Sequence, residues 1–330
     1  LATGAAAPSQ AARHPVQPNV HFLDNPRQAS RRSRPFLHRK ESILAASSSS
    51  SSRPSQPKGE VRKPTRRRNV QDEGKTWYDY PQYYDLGFAD ESEREADFLH
   101  LVFKQLVPGK TRKIFEPGCG TGRLVLEMAR RGYNVTGLDL NEKAMQFCRN
   151  RVEKEGVGKL VTLVQGDMTN FRFPHRFDAA FNTLNTFRHL TTEDDALKHL
   201  RVVAEHLKTG GVYVLGFHLL PPDADLYGTE RWSAKKGTTK INYALTVRES
   251  SRQTRVEHLR ITMSIHRPQG VLKLVDEFPL RTYSAAQVRS LLRKIPELEL
   301  KGVYDFWYDL EEPQKLNNDL SDAVFVLQKK

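Results

Sequence analysis

The sequence has only two cysteines among 330 residues, Cys119 and Cys148. That scarcity excludes a disulfide framework and fits a reducing, cytoplasmic setting. Long apolar runs are missing too, and no window is apolar enough to span a bilayer. No segment repeats. Acidic residues are scarce in one region only: residues 1–70 hold 14 Lys and Arg against three Asp and Glu, whereas 71–330 hold 38 against 36. The net charge of +13 therefore belongs mainly to the first 70 residues. The remainder lacks the overall basic balance expected of a nucleic-acid-binding domain.

Residues 1–70 read as a disordered tail. They contain the serine run 47–52, scattered prolines and the cluster Arg66–Arg67–Arg68, with too few apolar residues to offset chain entropy. An Arg- and Ser-rich, acid-poor stretch also suits an organelle transit peptide, but a solvated extension is the simpler reading. The sequence begins at Leu1 rather than Met, which weakens any argument about an N-terminal signal.

Order is expected over 71–330. The aromatic stretch 77–84 precedes a helix whose apolar face holds Phe98, Leu99, Leu101, Val102 and Leu106. Residues 71–110 thus form an N-terminal cover. Strands and helices then alternate: strands at 113–116, 134–138, 161–165, 177–181 and 212–217, helices at 124–131, 142–155 and 193–208. Crossover helices between strands imply a parallel sheet covered on both faces. The rhythm changes within 221–282, where extended segments at 238–248, 254–266 and 271–282 predict an antiparallel insertion, read as a substrate lid. A helix at 284–294 and strands at 298–306 and 323–328 complete the domain. The fold class is α/β, a doubly wound, mostly parallel seven-stranded sheet with a β insertion after strand 5.

The first strand enters Glu116-Pro117-Gly118-Cys119-Gly120-Thr121-Gly122. In such sheets ligands bind beyond the carboxyl ends of the strands, and glycines let the backbone come close. A dinucleotide fingerprint needs a third glycine where Arg123 stands, and no Gly-Lys-Ser/Thr follows to make a P-loop. A carboxylate at Glu116 would repel a pyrophosphate. It suits a cofactor with an ammonium and a sulfonium, such as S-adenosylmethionine. Asp139 ends the second strand, where it can accept from both ribose hydroxyls or cap the next helix, a task for which Asn141 competes. Asp167 ends the third strand and can accept from an adenine amino group or hold a turn. Met168 could lie against the adenine ring.

The order of Glu116–Gly122, Gly137-Leu138-Asp139, Gly166-Asp167-Met168, Phe177-Asp178 and 207–211 resembles the Rossmann-like class I methyltransferases, small-molecule type. The resemblance covers roughly a third of the chain. It implies an S-adenosylmethionine-dependent enzyme. Glu116, Gly118, Gly120 and Gly122 would lie near the methionine moiety, Asp139 and Leu140 near the ribose, and Asp167 and Met168 near the adenine. Asn182, at the fourth strand end, would line the reaction centre, and Tyr84 of the cover would face the cofactor or pack in the core.

Transfer from a sulfonium relies on positioning, and a base is needed only for a protonated nucleophile. His189 and His218 follow the fourth and fifth strands and are the candidates, against a structural reading for each. Arg188, Trp232 and Arg281 are candidate substrate contacts, as are Tyr243, Tyr283 and the aromatic segment 304–308. No metal site is expected. The stretch after the fourth strand lacks the Asn/Asp-Pro-Pro-Tyr sequence of many nucleic-acid methyltransferases of this fold, which favours a small-molecule acceptor at N, O or S. The rivals are an RNA or protein methyltransferase using the basic tail for capture, and a catalytically silent cofactor-binding module.

Overall fold

The computed structural model describes residues 70–71 and 76–330. The expected tail, 1–70, lies outside the described residues except at its last position. Val70 belongs to the two-residue strand β1 (Val70–Gln71).

Helices α1 (Pro81–Leu86) and α2 (Ser92–Leu106) come first. The core then runs β2 (Lys113–Pro117), α3 (Arg123–Arg130), β3 (Asn134–Asp139), α4 (Glu142–Lys154), β4 (Val161–Gln165), β5 (Phe177–Asn182), α5 (Glu193–His206) and β6 (Leu207–His218). The insertion comprises β7 (Thr229–Lys236), β8 (Thr239–Ser251), β9 (Val256–Arg267) and β10 (Gly270–Arg281). It leads into α6 (Ala285–Arg293), β11 (Leu298–Tyr304) and β12 (Asp322–Lys329). The seven-stranded sheet has the order β11-β12-β6-β5-β2-β3-β4. All its strands run parallel except β12, which is antiparallel to both neighbours.

Alternation along each strand feeds two cores. Ile114, Ala179, Phe181, Val212, Val214, Val324 and Val326 face α2, α3 and α4. Their neighbours Phe115, Ala180, Tyr213, Leu215, Phe325 and Leu327 face α5 and α6. Strands buried on both faces read as continuous apolar runs, as parallel sheets require.

The structure corrects four expectations. The insertion has four strands, not three. β7 was missed because only Trp232 along it is buried, so it shows no apolar alternation. The helix expected to reach 208 ends at His206, and 207–211 opens β6 with a register shift against β5. Leu101 is exposed, on the solvent side of α2. The cover is the short segment 77–88, whereas α2 packs against the central sheet.

The insertion forms a five-stranded sheet, β1-β10-β9-β8-β7, with one apolar face. Ile241, Tyr243, Ile261, Met263, Ile265, Leu272 and Leu274 cluster there with Trp77. Asp276 interrupts this alternation, and its Oδ2 accepts from the Trp77 backbone N–H at 3.1 Å, fixing the cover to the lid.

Candidate active site

Three left-handed glycines shape the turn after β2, with φ of 71° at Gly118, 52° at Gly120 and 72° at Gly122. Residues with a Cβ adopt this region at a cost. The Gly118 and Cys119 amides donate to the Leu138 carbonyl at 2.6 and 3.0 Å. Asp139 Oδ2 accepts from the Gly120 N–H at 2.7 Å, and its Oδ1 accepts from the Asn141 N–H at 2.8 Å. Asn141, not Asp139, caps α4, its Oδ1 accepting from the Ala144 N–H. Burial raises the Asp139 pKa, opposed by the backbone donors.

Glu116 is buried beside this loop. Its Oε2 has no hydrogen-bond partner among the described residues. Burial pushes its carboxyl well above the usual range, partly opposed by the Arg123 guanidinium. Arg123 itself is held by Glu95 at 2.6 Å.

A cavity of about 350 Å³ opens at the carboxyl ends of the strands. Gly118, Gly120, Thr121, Asp139, Leu140 and Met168 border one end. Trp77, Tyr78, Phe88, Phe278 and Leu280 border the other, and Leu184, Asn185, Thr186 and His189 also line it. Tyr84 lines it too, edge-on to Trp77 at 4.8 Å, and burial pushes its hydroxyl up to about 12. The cover is latched to the loop: Thr121 Oγ1 donates to Asp85 at 2.9 Å, and Arg151 pairs with Asp85 at 2.5 Å.

The remaining sequence candidates divide. His189 borders the cavity, with its Nε2 hydrogen-bonded to the Tyr78 hydroxyl at 3.0 Å. Burial, assisted by Arg188, lowers its pKa to about 4. Gly122 stands behind the cavity wall, where an added Cβ would strike Cys148 Sγ. Asn182 is buried off the cavity, with Nδ2 donating to the Pro117 carbonyl at 2.5 Å. Asp167 is exposed, and its Oδ1 accepts from the Thr169 N–H and hydroxyl, so the turn reading holds for that oxygen while Gly166 and Met168 border the cavity.

The other candidates for catalysis and substrate lie outside the lining of that cavity. His218 lines an adjoining cavity of about 130 Å³, which shares Asn185, Leu245, Leu259 and Leu280 with the first, and Asp322 holds its Nδ1 at 2.6 Å. Arg188 is buried and committed: Nε donates to the Arg281 carbonyl at 2.8 Å, and Nη2 pairs with Glu257. Arg281 is buried too, donating to the Thr191 carbonyl at 2.6 Å and facing Glu193 at 3.5 Å. Trp232 stacks on Tyr243 at 4.8 Å and borders neither cavity. Tyr243 and Tyr283 are likewise buried packing residues, and none of 304–308 borders either cavity.

Sequence reasoning missed Asn185. It borders both cavities, its Oδ1 accepts from the His218 N–H at 2.9 Å, and it is left-handed with φ 69°, next to Leu184 at φ 67°. Two consecutive non-glycine residues in that region mark strain held by the surroundings. Asparagine's tolerance of this conformation was the available signal. Among the described residues there is no group of three metal-ligating side chains, and no helix is long and apolar enough to cross a membrane.

The strand order, the glycine turn and the acid at the end of β3 define a Rossmann-like methyltransferase domain. The profile of a family described as a methyltransferase domain matches residues 114–211. A dTDP-3-amino-3,4,6-trideoxy-alpha-D-glucopyranose N,N-dimethyltransferase of Streptomyces venezuelae is 27% identical over 184 residues, 54% of this chain and 74% of that protein. A fatty-acid O-methyltransferase of Mycolicibacterium smegmatis is 32% identical over 139 residues, 41% of this chain and 48% of that protein. The crystal structure of an S-adenosylmethionine-dependent methyltransferase from Clostridium acetobutylicum superposes with a TM-score of 0.63 at 18% identity, covering 75% of this chain and 96% of that one. Residues 114–211 carry a methyltransferase domain, and the enzyme is a methyltransferase dependent on S-adenosylmethionine.

Proposed function

We propose that the enzyme methylates an N, O or S atom of a small molecule bound beneath the β lid, with the cofactor held by the glycine turn and the ends of β2 and β3. One observation carries this reading: a single cavity runs from the glycine turn to a chamber roofed by the lid and the cover. The two named relatives carry small-molecule acceptors in their names, which supports it.

The residues present fit the cofactor. Glu116 lies behind the glycine turn rather than in the cavity wall, and its buried Oε2, unpartnered among the described residues, is an acceptor suited to a cationic group. Asp139 Oδ2 accepts from the Gly120 N–H and Oδ1 from the Asn141 N–H, and each keeps a lone pair for a ribose hydroxyl. Tyr84, Leu140 and Met168 supply apolar surface beside it. S-adenosylmethionine supplies an activated methyl group. On transfer the acceptor lone pair would take up that methyl group while the sulfur–methyl electron pair stayed on sulfur, and a protonated acceptor would give up its proton. Asn185 and Thr186 line the cavity, and in-line placement of acceptor and cofactor within it carries much of the rate. Tyr78 and His189 are the titratable pair on the acceptor side. His189 is neutral at physiological pH and can take the departing proton.

Two variants test the assignment. Asp139→Ala is expected to weaken cofactor binding by about 1–3 kcal/mol, because charge-assisted hydrogen bonds are lost. Unaltered affinity by calorimetry would remove Asp139 from the site. His189→Ala should lower kcat by about 10- to 100-fold, the low range for a lost acid–base group, with cofactor affinity retained. The pH profile checks the same residue. Its imidazole is depressed to about 4, so it loses its proton as pH rises through that value and is neutral above it. The wild-type rate should show no step near the ordinary histidine value of about 6.5 from this group. Release of S-adenosylhomocysteine across a metabolite panel tests the proposal as a whole. Turnover confined to RNA or protein substrates would overturn it.

A further inference from the structure

The acceptor chamber is walled by aromatic and aliphatic side chains. Trp77, Tyr78 and Phe88 come from the cover, and Leu259, Phe278 and Leu280 come from β9 and β10. No lysine or arginine borders it among the described residues. The three arginines next in sequence to its walls are engaged elsewhere: Arg188 with Glu257, Arg260 with Glu277, and Arg281 with the Thr191 carbonyl and with Glu193, which Arg255 and Lys294 share. The polar groups on the acceptor side are Tyr78, Asn185, Thr186 and His189. His189 carries no charge near neutral pH.

A phosphate or carboxylate in this chamber would lose its hydration without a cation to replace it. Burying an unpaired anion is costly, and phosphate-binding sites rely on arginine, lysine or a helix N-terminus. An uncharged ring or alkyl body loses nothing comparable and gains from leaving water.

From this chemistry we infer that the acceptor is an uncharged, largely apolar molecule, aromatic or alkyl in its body, and not a nucleotide-linked or otherwise phosphorylated one. The inference rests on the proposed methyl transfer beneath the lid. It sets this chamber apart from one that takes a dTDP-linked sugar. Selectivity arises because the wall offers dispersion and a few neutral hydrogen bonds, with nothing to pair an anion.

A matched pair of probes tests it: 2-naphthol and 2-naphthyl phosphate share a ring and differ by a dianion. Both are titrated calorimetrically into the full chain loaded with S-adenosylhomocysteine. The naphthol should bind at least about tenfold more tightly than the phosphate. Leu245→Trp, which fills the chamber from β8, should weaken naphthol binding at least about tenfold. Leu245→Asn removes the apolarity with little added bulk and should act in the same direction. Both variants should keep S-adenosylhomocysteine affinity, which also reports on folding. Equal or tighter binding of the phosphate, displacement of naphthol by dTDP, or no naphthol binding to loaded wild type would each overturn the inference. Failure of wild type to bind S-adenosylhomocysteine would instead strike the underlying cofactor assignment.

Discussion

Arg188→Met is expected to destabilise the fold by about 3–5 kcal/mol, the cost of leaving a buried charge without its partner. Glu257 would remain with its side chain 10% exposed, facing a thioether in place of a guanidinium. The Arg281 carbonyl would lose its donor from Arg188 Nε as well. Urea denaturation would show a lower midpoint at unchanged slope. Adding Glu257→Gln removes the stranded charge, so the double variant should recover a substantial part of the loss. This outcome would establish Arg188 as the tie between the loop after β5 and lid strands β9 and β10. An unchanged midpoint with weakened acceptor binding would restore it as a substrate contact.

Gly122→Ala should be the most damaging single methyl in the cofactor loop, at about 2–5 kcal/mol. Two costs combine. The backbone sits at φ 72°, where a Cβ costs about 1–2 kcal/mol. The new methyl also collides with the buried Cys148 Sγ, and overpacking a core typically costs about 1–3 kcal/mol. Cys148→Ala in the same chain removes the obstructing sulfur and should return the steric part only. The backbone part should persist. If Cys148→Ala gives no recovery, the collision is not the cause. Gly120 is a useful control, because a Cβ there meets nothing within 4 Å. Gly120→Ala should incur the backbone cost alone.

The central sheet was legible because both of its signals are local. Strands such as 212–217 are apolar throughout, and the helices between them carry regular apolar faces. Glycine turns and acids at the strand ends mark where the chain leaves the sheet. Glu116 and Asp139 were singled out in this way, and both lie at the glycine turn, Asp139 bonded to the Gly120 N–H. Side chains whose role depends on distant partners were not legible. Arg188 follows a strand end, as a substrate clamp would, yet Glu257 lies 69 positions away and consumes its charge. His218 follows a strand end too, but Asp322, 104 positions away, holds it at another cavity. β7 escaped for a different reason, since a strand at the edge of a one-faced sheet needs only Trp232 inside. Asp167 shows a third limit. Its turn uses Oδ1, so the turn and ligand readings do not exclude one another, and the sequence contains both possibilities.

The two ends of the cavity come from different stretches of chain. The glycine turn, Asp139, Leu140 and Met168 lie between 118 and 168, whereas the chamber is walled by 77–88 and by lid residues between 245 and 280. Inheritance can therefore act on the two ends separately. Substitutions in the lid can redirect such an enzyme to a new acceptor while the cofactor contacts between 118 and 168 are copied unchanged. For the same reason, grafting a lid between members of this fold is a more promising route to altered substrate choice than redesigning the sheet that carries it.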